Sequence, residues 1–303
     1  MLPSTYARGI PTYDSLSYSN FLHDHLIPNT PFLLSQSSTS RWRASKKWRV
    51  DTSSSGSTSI SQPILSSLRP YAYHIVPIAD TCVREYSEFA RSERLLGDIL
   101  DLWERGDGGE LYVKDWHLPS AVEQEGRGVE EIYEVPEPFR DDWMNPAYSP
   151  SKTNPPQPQP NDFRFCYVGP PGTFTPLHRD VYASYSWSAN IVGRKKWWLF
   201  PPDTLHSVRD TSGKLVFDVR EMPDEGGGIK IVQQEGEVIY VPSGWYHQVV
   251  NLDFCISINH NFASSITLPS LYDTLAEAQC QVEESIADVK EMIQERLGSS
   301  TDA

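Results

Sequence analysis

The segment from residue 163 to residue 262 alternates short apolar runs with turns that contain glycine and proline. The runs are rich in aromatic and β-branched residues, and the turns include Gly169–Gly172, Gly226–Gly228 and Pro242–Gly244. Short runs of this composition between Gly and Pro are typical of β-strands. Many such strands in close succession predict a double-sheet barrel or jelly roll over residues 163–262.

The region before this barrel mixes helical and strand patterns. Aromatic and Leu positions in Tyr13–Leu34 fit a helix followed by a turn, and Ser87–Glu104 has the spacing of an amphipathic helix. Tyr71–Ala79 and Leu111–Leu118 are apolar runs that predict strands. We therefore expect residues 13–148 to form a support of helices and strands beside the barrel.

The end of the chain carries one long apolar stripe. Apolar residues from Leu271 to Leu297 recur every three or four positions, which predicts a helix over residues 270–298 with a single apolar face. A face of this kind needs a partner. The sequence leaves two alternatives open: the helix packs on the barrel of its own chain, or against a second copy to form a homodimer.

Two polar segments interrupt the apolar pattern. Residues 35–67 are rich in serine, and residues 149–160 are rich in proline. Proline lacks a backbone N–H, and a serine-rich stretch has little surface to bury, so we expect both to be poorly ordered surface insertions. Because apolar patterning resumes on both sides of each, residues 1–303 are expected to form a single domain.

Charge and composition narrow the choice of partners. The 303 residues carry 26 Lys and Arg against 40 Asp and Glu, a formal net charge of −14. An acidic protein repels a phosphate backbone, so direct binding of nucleic acid is not expected. No run approaches the roughly 18 apolar residues of a membrane span, and the first residues lack a secretory signal pattern. We therefore expect a cytoplasmic or nuclear protein that does not enter a membrane.

A His-x-Asp motif at the start of the barrel is the first candidate for chemistry. In a strand, His178 and Asp180 project to the same face, and His247 on a distant strand can supply a third ligand. Two imidazoles and one carboxylate form the facial triad of non-haem Fe(II) oxygenases. A His-x-Asp pair is more often a hydrogen-bonded pair in a core. However, this motif is the only His-x-Asp or His-x-Glu among eight histidines.

A basic residue in the next predicted strand is the second candidate. If the strand starts at Arg194, Lys195 shares a face with Trp197, opposite Lys196. A lysine buried among tryptophans needs an anionic partner. The carboxylate of an oxoacid co-substrate would meet this need.

Taken together, His178-x-Asp180, Gly193–Trp197 and Pro242–His247 resemble, in this order, the JmjC family of Fe(II)- and 2-oxoglutarate-dependent oxygenases. The resemblance extends from about residue 13 to about residue 298. It implies a mixed, mainly β fold with a double-stranded β-helix core of the jelly-roll or cupin type. Flanking N-terminal helices and a C-terminal helix would complete this fold.

The resemblance also implies roles for individual residues. His178, Asp180 and His247 would bind the iron. Lys195 and Thr175 would bind the distal carboxylate of 2-oxoglutarate. Four further polar residues would lie near the co-substrate: Ser186, Ser188, Asn259 and Asn261.

The function implied by the resemblance is oxidative, with Fe(II) as cofactor and 2-oxoglutarate and dioxygen as co-substrates. The string Tyr167–Tyr182 is similar to one subgroup of the family, which implies lysyl hydroxylation of a translation termination factor. A histone lysine demethylase is the first alternative. We favour hydroxylation because the chain is short and acidic and has no cysteine-rich module of the kind that reads chromatin. A non-oxidative cupin-type metal or binding barrel is the second alternative, and it would have no need for Lys195.

Overall fold

The computed structural model describes residues 9–50, 63–145, 163–287 and 289, and this part of the chain is mainly β. The strands are β1 (Thr12–Tyr13), β2 (Phe32–Leu34), β3 (Ile75–Glu85), β4 (Glu88–Leu95), β5 (Leu111–Trp116), β6 (Arg164–Gly169), β7 (Phe174–Arg179), β8 (Tyr185–Val192), β9 (Lys195–Phe200), β10 (Ile229–Gln233), β11 (Val238–Val241), β12 (Tyr246–Asn251) and β13 (Cys255–Phe262). The α-helices are α1 (Tyr18–Phe21), α2 (Arg43–Lys47), α3 (Leu96–Glu104), α4 (Leu118–Gln124) and α5 (Leu268–Ser285). A π-helical turn, Leu22–Leu26, continues α1.

The strands form two sheets. The larger sheet has nine strands in the order β1-β2-β11-β8-β13-β6-β5-β3-β4, and the smaller has four in the order β10-β9-β12-β7. All of these neighbours are antiparallel except β1 and β2. The large sheet therefore combines strands of the barrel with strands of the region before it.

The two sheets pack face to face. Leu33, Ile239 and Val241 of the large sheet contact Trp197 and Leu199 of the small sheet in one buried apolar cluster. The opposite face of the large sheet is covered by the N-terminal segments and α3 in a second, larger cluster. This arrangement of two facing antiparallel sheets is a jelly roll, which confirms the predicted mainly β fold class.

The helix predicted over Ser87–Glu104 is wrong for its first half. Residues 88–95 form strand β4, which pairs with β3 through the hairpin turn at Tyr86, and only Leu96–Glu104 is helical. Glu, Ala and Arg in this stretch favour a helix locally. The available edge of β3 outweighs that propensity, because a strand gains a full ladder of backbone hydrogen bonds there.

The N-terminal helix is shorter than predicted, and two strands flank it. Helical structure covers Tyr18–Leu26, while β1 and β2 join the large sheet beside β11. The strand predicted over Leu111–Leu118 is present as β5. The strand predicted over Tyr71–Ala79 is right only from Ile75, where β3 begins, because Tyr71 ends a 3-10 helix. The support region therefore contributes five strands to the large sheet as well as its helices.

The expectation of a poorly ordered insertion over residues 35–67 is wrong for residues 36–50 and for residues 63–67, where a 3-10 helix begins at Leu65. Residues 36–50 form a 3-10 turn and α2, and the side chains of Trp42 and Trp48 are buried. These two large apolar side chains explain the order, since they bury far more area than the serines around them. Residues 51–62 of the expected insertion, and all of the proline-rich segment 149–160, lie outside the described residues.

The C-terminal helix α5 spans Leu268–Ser285 and does not pack on the barrel along its length. None of its residues is buried, and Leu275 and Val282 are 43% and 58% exposed. Its contacts with the rest of the described chain are concentrated at the turn Val181–Ala183. The first alternative, docking of the whole stripe on the protein's own barrel, is therefore wrong for the described part. Residues 290–298 of the predicted helix lie outside it.

In the described part of the chain, the helices are too short or too polar for any of them to cross a bilayer.

Candidate functional site

A cavity of about 600 Å³ lies between the two sheets. Its walls come from β4 to β9, β12 and β13, and both sheets supply inward-pointing side chains. All nine residues that the sequence singled out as candidate site residues line this cavity: Thr175, His178, Asp180, Ser186, Ser188, Lys195, His247, Asn259 and Asn261. The structure thus brings together residues that are up to 86 positions apart in the chain.

His178, Asp180 and His247 form a cluster whose ligand atoms all lie within 4.8 Å of one another. His178 is the second-last residue of β7 and is directly opposite His247 on β12, with ring centroids 4.2 Å apart. Asp180 follows at the start of the 3-10 turn Val181–Ala183. The buried Asp180 Oδ2 has no hydrogen-bond partner. Because a buried carboxylate oxygen is normally paired, this atom fits a site that takes a cation.

The two imidazoles are oriented through their Nδ1 atoms. His178 Nδ1 lies 2.8 Å from the Pro176 carbonyl, and His247 Nδ1 lies 3.4 Å from the Trp245 carbonyl. A carbonyl accepts a hydrogen bond, so each Nδ1 carries the proton and each Nε2 keeps its lone pair for a metal. Burial and the neighbouring His247 lower the pKa of His178 to about 3, which keeps the ring neutral. The three residues therefore fit a divalent iron ion.

A bulge in β7 places Thr175 on the same face as His178. His247 on β12 is opposite His178, and Val249 is opposite Thr175. Between these two pairs, β7 contains one residue more than β12. In a regular strand, positions three apart would face opposite ways. The extra residue turns Thr175 back to the face of His178. β-Bulges near active sites commonly redirect a side chain in this way.

Lys195 is a buried cation at the inner end of the cavity. Its side chain is 2% exposed, its Nζ donates to Ser257 Oγ at 2.9 Å, and the Tyr167 ring centroid is 5.9 Å away. Burial lowers the pKa of this ammonium group. No carboxylate of the described residues pairs with it. An uncompensated buried charge is costly, so this end of the cavity suits an anionic ligand.

Tyr112 and Thr175 are polar neighbours in the same cavity. The Tyr112 ring is 2% exposed on β5, and its hydroxyl interacts with the side chain of Thr175. Burial raises the pKa of Tyr112, so its phenol stays protonated and can donate a hydrogen bond. Sequence reasoning identified Thr175 but missed Tyr112, because in the sequence of β5 nothing distinguishes this tyrosine from an ordinary aromatic residue of the core.

The four weaker candidates line one wall of the cavity. Ser188 and Asn259 are opposite each other on β8 and β13, and Ser188 Oγ donates to Asn259 Oδ1 at 3.1 Å. Ser186 is opposite Asn261, whose Nδ2 donates to Ser184 Oγ at 3.1 Å. These amides are thus partly engaged with hydroxyl groups of the protein itself.

Comparisons with known proteins agree with this geometry. Residues 165–262 match the family model described as "JmjC domain, hydroxylase". The human protein named "2-oxoglutarate and iron-dependent oxygenase JMJD4" is 33% identical over 293 residues, covering 90% of this chain and 66% of that protein. Its Drosophila melanogaster homologue is 30% identical over 308 residues, covering 91% and 69%.

A plant relative has a different name. The "Arginine-specific demethylase JMJ20" of Arabidopsis thaliana is 34% identical over 301 residues, covering 91% of this chain and 62% of that protein. The chain spans about two thirds of the length of the curated relatives it matches.

Proposed function

Because the chain belongs to the JmjC family, in its group of JMJD4-like 2-oxoglutarate and iron-dependent oxygenases, we propose that it is a protein hydroxylase. It would use Fe(II), 2-oxoglutarate and dioxygen. The observation that supports the proposal best is the presence of the His178, Asp180 and His247 cluster and the buried Lys195 in one cavity.

We propose that His178, Asp180 and His247 hold the iron and leave its remaining positions open. Bound iron would supply the oxidising chemistry together with 2-oxoglutarate and dioxygen: one oxygen atom of dioxygen would enter succinate as carbon dioxide leaves, and the other would become the hydroxyl group on the substrate carbon. The protein fixes the ligand geometry through the backbone carbonyls at Nδ1 of both histidines. Trp197 stacks near His247, with ring centroids 5.8 Å apart, and keeps water from that side of the ring.

The co-substrate would lie between the ligand cluster and Lys195. Lys195 pairs with the distal carboxylate, and the hydroxyl groups of Thr175 and Tyr112 donate to it. Ser257 accepts a hydrogen bond from Lys195 Nζ and holds it in place. Ser186, Ser188, Asn259 and Asn261 form the wall beside the co-substrate.

We propose that the substrate is a lysine side chain in a protein segment, and more specifically in a translation termination factor. The resemblance of Tyr167–Tyr182 to one subgroup supports this substrate. The net charge of −14 also favours a basic peptide over an acidic one. Cytoplasmic or nuclear location and a single domain over residues 1–303 likewise remain predictions.

Demethylation is the second candidate, and the name of the plant relative favours it. Hydroxylation of a methyl group on nitrogen gives a hydroxymethyl amine that releases formaldehyde, so the same iron site serves both reactions. A histone tail would be the substrate in this case. The non-oxidative cupin-type barrel is less well supported, because it leaves the buried charge of Lys195 without a use.

The test is succinate formation from 2-oxoglutarate with anaerobically added Fe(II), followed by exposure to air. Lysine-containing peptides of a termination factor and methylated histone peptides are compared as substrates. A product heavier by 16 Da supports hydroxylation, whereas formaldehyde release supports demethylation. His178→Ala should abolish turnover, and His206→Ala, an exposed histidine outside the cavity, is the matched control. Turnover by His178→Ala, or no iron-dependent binding of 2-oxoglutarate to the unchanged protein, contradicts the proposal.

A further inference from the structure

A second bulge, in β5, aims a carboxylate into the cavity. Val113 on β5 is opposite Val168 on β6, and Trp116 is opposite Cys166, so β5 contains one extra residue between these pairs. Asp115 lies in this bulge, with φ of 66°. This left-handed backbone is unfavourable for most residues but tolerated by Asp, and such conformations are concentrated at binding sites. The bulge turns Asp115 toward the cavity, which its side chain lines.

Asp115 is ionised and only partly satisfied. Its Oδ1 accepts from the Tyr167 hydroxyl at 2.5 Å, and its Oδ2 accepts from Arg91 Nη1 at 2.7 Å. Burial alone would raise the pKa of this carboxyl, but Lys114, Arg91 and the Tyr167 hydrogen bond together lower it below its usual value. A carboxylate offers about four lone-pair sites, and the Asp115 side chain is 28% exposed. It can therefore accept further hydrogen bonds from a ligand.

The charged side chains next to Asp115 on β4 and β5 are already paired with one another. Lys114 Nζ lies 3.1 Å from Glu88 Oε2, and Arg91 lies 3.8 Å from the same oxygen. Lys114 is thus paired with Glu88, and Arg91 with Asp115. Arg179 on β7 also lines the cavity, but on β4 and β5 an incoming cation meets no unpaired positive group among these residues.

Aromatic side chains line the approach to Asp115. Phe163 directly precedes β6, Phe165 and Tyr167 follow at every second position in β6, and all three line the cavity. The Tyr182 ring lies 6.1 Å from the Phe163 ring at the entrance and is 42% exposed. Flat apolar walls of this kind can cover the methylene stem of a long side chain but cannot bind its polar end.

We propose that Asp115 binds the cationic head group of the substrate residue, while Phe163, Phe165 and Tyr167 pack against its aliphatic stem. This inference rests on the proposed function and adds the residue that selects the target side chain, which must be a cation with at least one free N–H. A charge-assisted hydrogen bond to Asp115 is stronger than a neutral one. A trimethylated lysine keeps its charge but has no N–H to donate, so the site disfavours it.

The experiment measures peptide binding rather than turnover. The full chain is loaded with Fe(II) and 2-oxoglutarate without dioxygen. Acetyl-Gly-Xaa-Gly-amide peptides are titrated into it and followed by NMR, with Xaa as lysine, arginine, trimethyllysine or norleucine. We expect lysine or arginine to bind at least tenfold more tightly than norleucine, which has the same stem without the ammonium group, and more tightly than trimethyllysine. Equal binding of lysine and norleucine would overturn the proposal without any variant.

A variant then assigns the selectivity to one residue. In Asp115→Asn, the preference for lysine over norleucine should fall to about twofold or less. A loss that affects both peptides equally would mean that Asp115 only supports the wall, and an unchanged preference would place the acceptor elsewhere. Asp107→Asn, an exposed carboxylate on the turn after α3, is the matched control and should keep the preference. Failure of the protein to bind 2-oxoglutarate with Fe(II) would count against the proposed function instead.

Discussion

At the scale of single residues, Lys195 is the side chain with the clearest physical demand. It is buried, its ammonium has one hydrogen bond to a serine, and no described carboxylate balances its charge. Keeping such a group in a folded protein costs free energy that a bound dicarboxylate would offset. Its neighbour Lys196 points the other way and pairs with Glu225 at 2.9 Å.

The first prediction concerns these two lysines. Lys195→Met should weaken binding of 2-oxoglutarate at least tenfold, because a charge-assisted interaction of about 1.5–3 kcal/mol is lost. Anaerobic titration of the Fe(II) protein with 2-oxoglutarate measures this. Lys196→Met removes an equal charge outside the cavity and should change the affinity less than twofold. Similar affinities for Lys195→Met and the unchanged protein would mean that another residue binds the carboxylate.

The same pair predicts a pH dependence. Burial lowers the pKa of Lys195, and only its protonated form attracts a carboxylate. Affinity for 2-oxoglutarate should therefore fall as the pH rises through this lowered pKa. The alkaline loss should be absent from Lys195→Met and present in Lys196→Met.

His260 gives the second prediction, which concerns stability. Its Nε2 lies 2.6 Å from the Tyr133 hydroxyl, and its ring stacks on Trp187 at 4.2 Å. Burial, with a smaller effect of Arg164, lowers the pKa of His260 well below 6.5. The unfolded chain then binds a proton that the folded chain does not. The contribution of neutral, buried His260 to the free energy of unfolding is therefore fully present above pH 6.5 and is lost progressively as the pH falls below 6.5.

From pH 6.5 to pH 5.5, this histidine should cost about 1 kcal/mol of the free energy of unfolding. His260→Gln keeps a hydrogen-bonding partner for Tyr133 but cannot be protonated. The stability difference between the unchanged protein and His260→Gln should therefore shrink by about 1 kcal/mol over that range. Urea unfolding at several pH values measures it, and a constant difference would contradict the prediction.

Residue-level chemistry was predictable where it lies in a local pattern. His178-x-Asp180 and the Arg194–Trp197 run could be interpreted from strand alternation. The structure places the predicted inward-facing members in one cavity: His178, Asp180, Lys195 and Trp197. Ser257 could not be assigned, because its contact with Lys195 spans 62 positions of the chain. Lys114 and Asp115 stood as a charged pair inside an apolar strand, but nothing local told which way either side chain points.

At the scale of elements, the two bulges explain why alternation was an incomplete guide. Strict alternation puts Thr175 and His178 on opposite faces, yet the bulge in β7 brings them to one. The bulge in β5 likewise turns Asp115 inward. A bulge depends on the register with a partner strand, and a single sequence does not fix that register. The helix predicted over residues 88–95 failed for a related reason, since the pairing of β4 with β3 is a tertiary contact.

The turn that delivers Lys195 gives the third prediction. Gly193 joins β8 to β9 with φ of 75°, and a Cβ there would lie 2.4 Å from the Phe254 carbonyl oxygen. Gly193→Ala therefore adds a backbone clash to the cost of a left-handed alanine. We expect a loss of about 2–5 kcal/mol in the free energy of unfolding.

Gly213 is the matched control for this change. Its φ is 83°, but a Cβ there would meet nothing within 4 Å. Gly213→Ala should therefore lose only about 1 kcal/mol, the conformational cost alone. Urea unfolding of both variants compares the two. Equal losses would show that the Gly193 turn relaxes without strain and that its position does not constrain Lys195.

At the scale of the whole molecule, the residues that line the cavity come from the support region as well as from the predicted barrel. The support region contributes lining residues from β4, from β5 and from the residue after β5: Glu88, Arg91, Tyr112, Lys114, Asp115 and His117. The other lining residues lie between residues 163 and 261. The nine-stranded sheet is continuous across this boundary through the pairing of β5 with β6. Sequence patterns predicted a boundary here from the break in composition. They could not show that the sheet continues across it, because strand order is set by long-range pairing.

The exposed stripe of α5 gives the last prediction, which concerns assembly. Leu275, Val282 and Ile286 are 43%, 58% and 39% exposed, and within the described residues nothing covers them. An apolar stripe that repeats every three or four residues pairs well with the same stripe of a second helix. We expect a homodimer through α5, with a mass in light scattering of about twice the 34.3 kDa of the chain.

Val282→Asp should shift the dimer toward the monomer, because a carboxylate in that interface loses hydration. Cys280→Asp, on the opposite face of α5, should stay dimeric. A mass near that of one chain for the unchanged protein at all concentrations would rule the homodimer out.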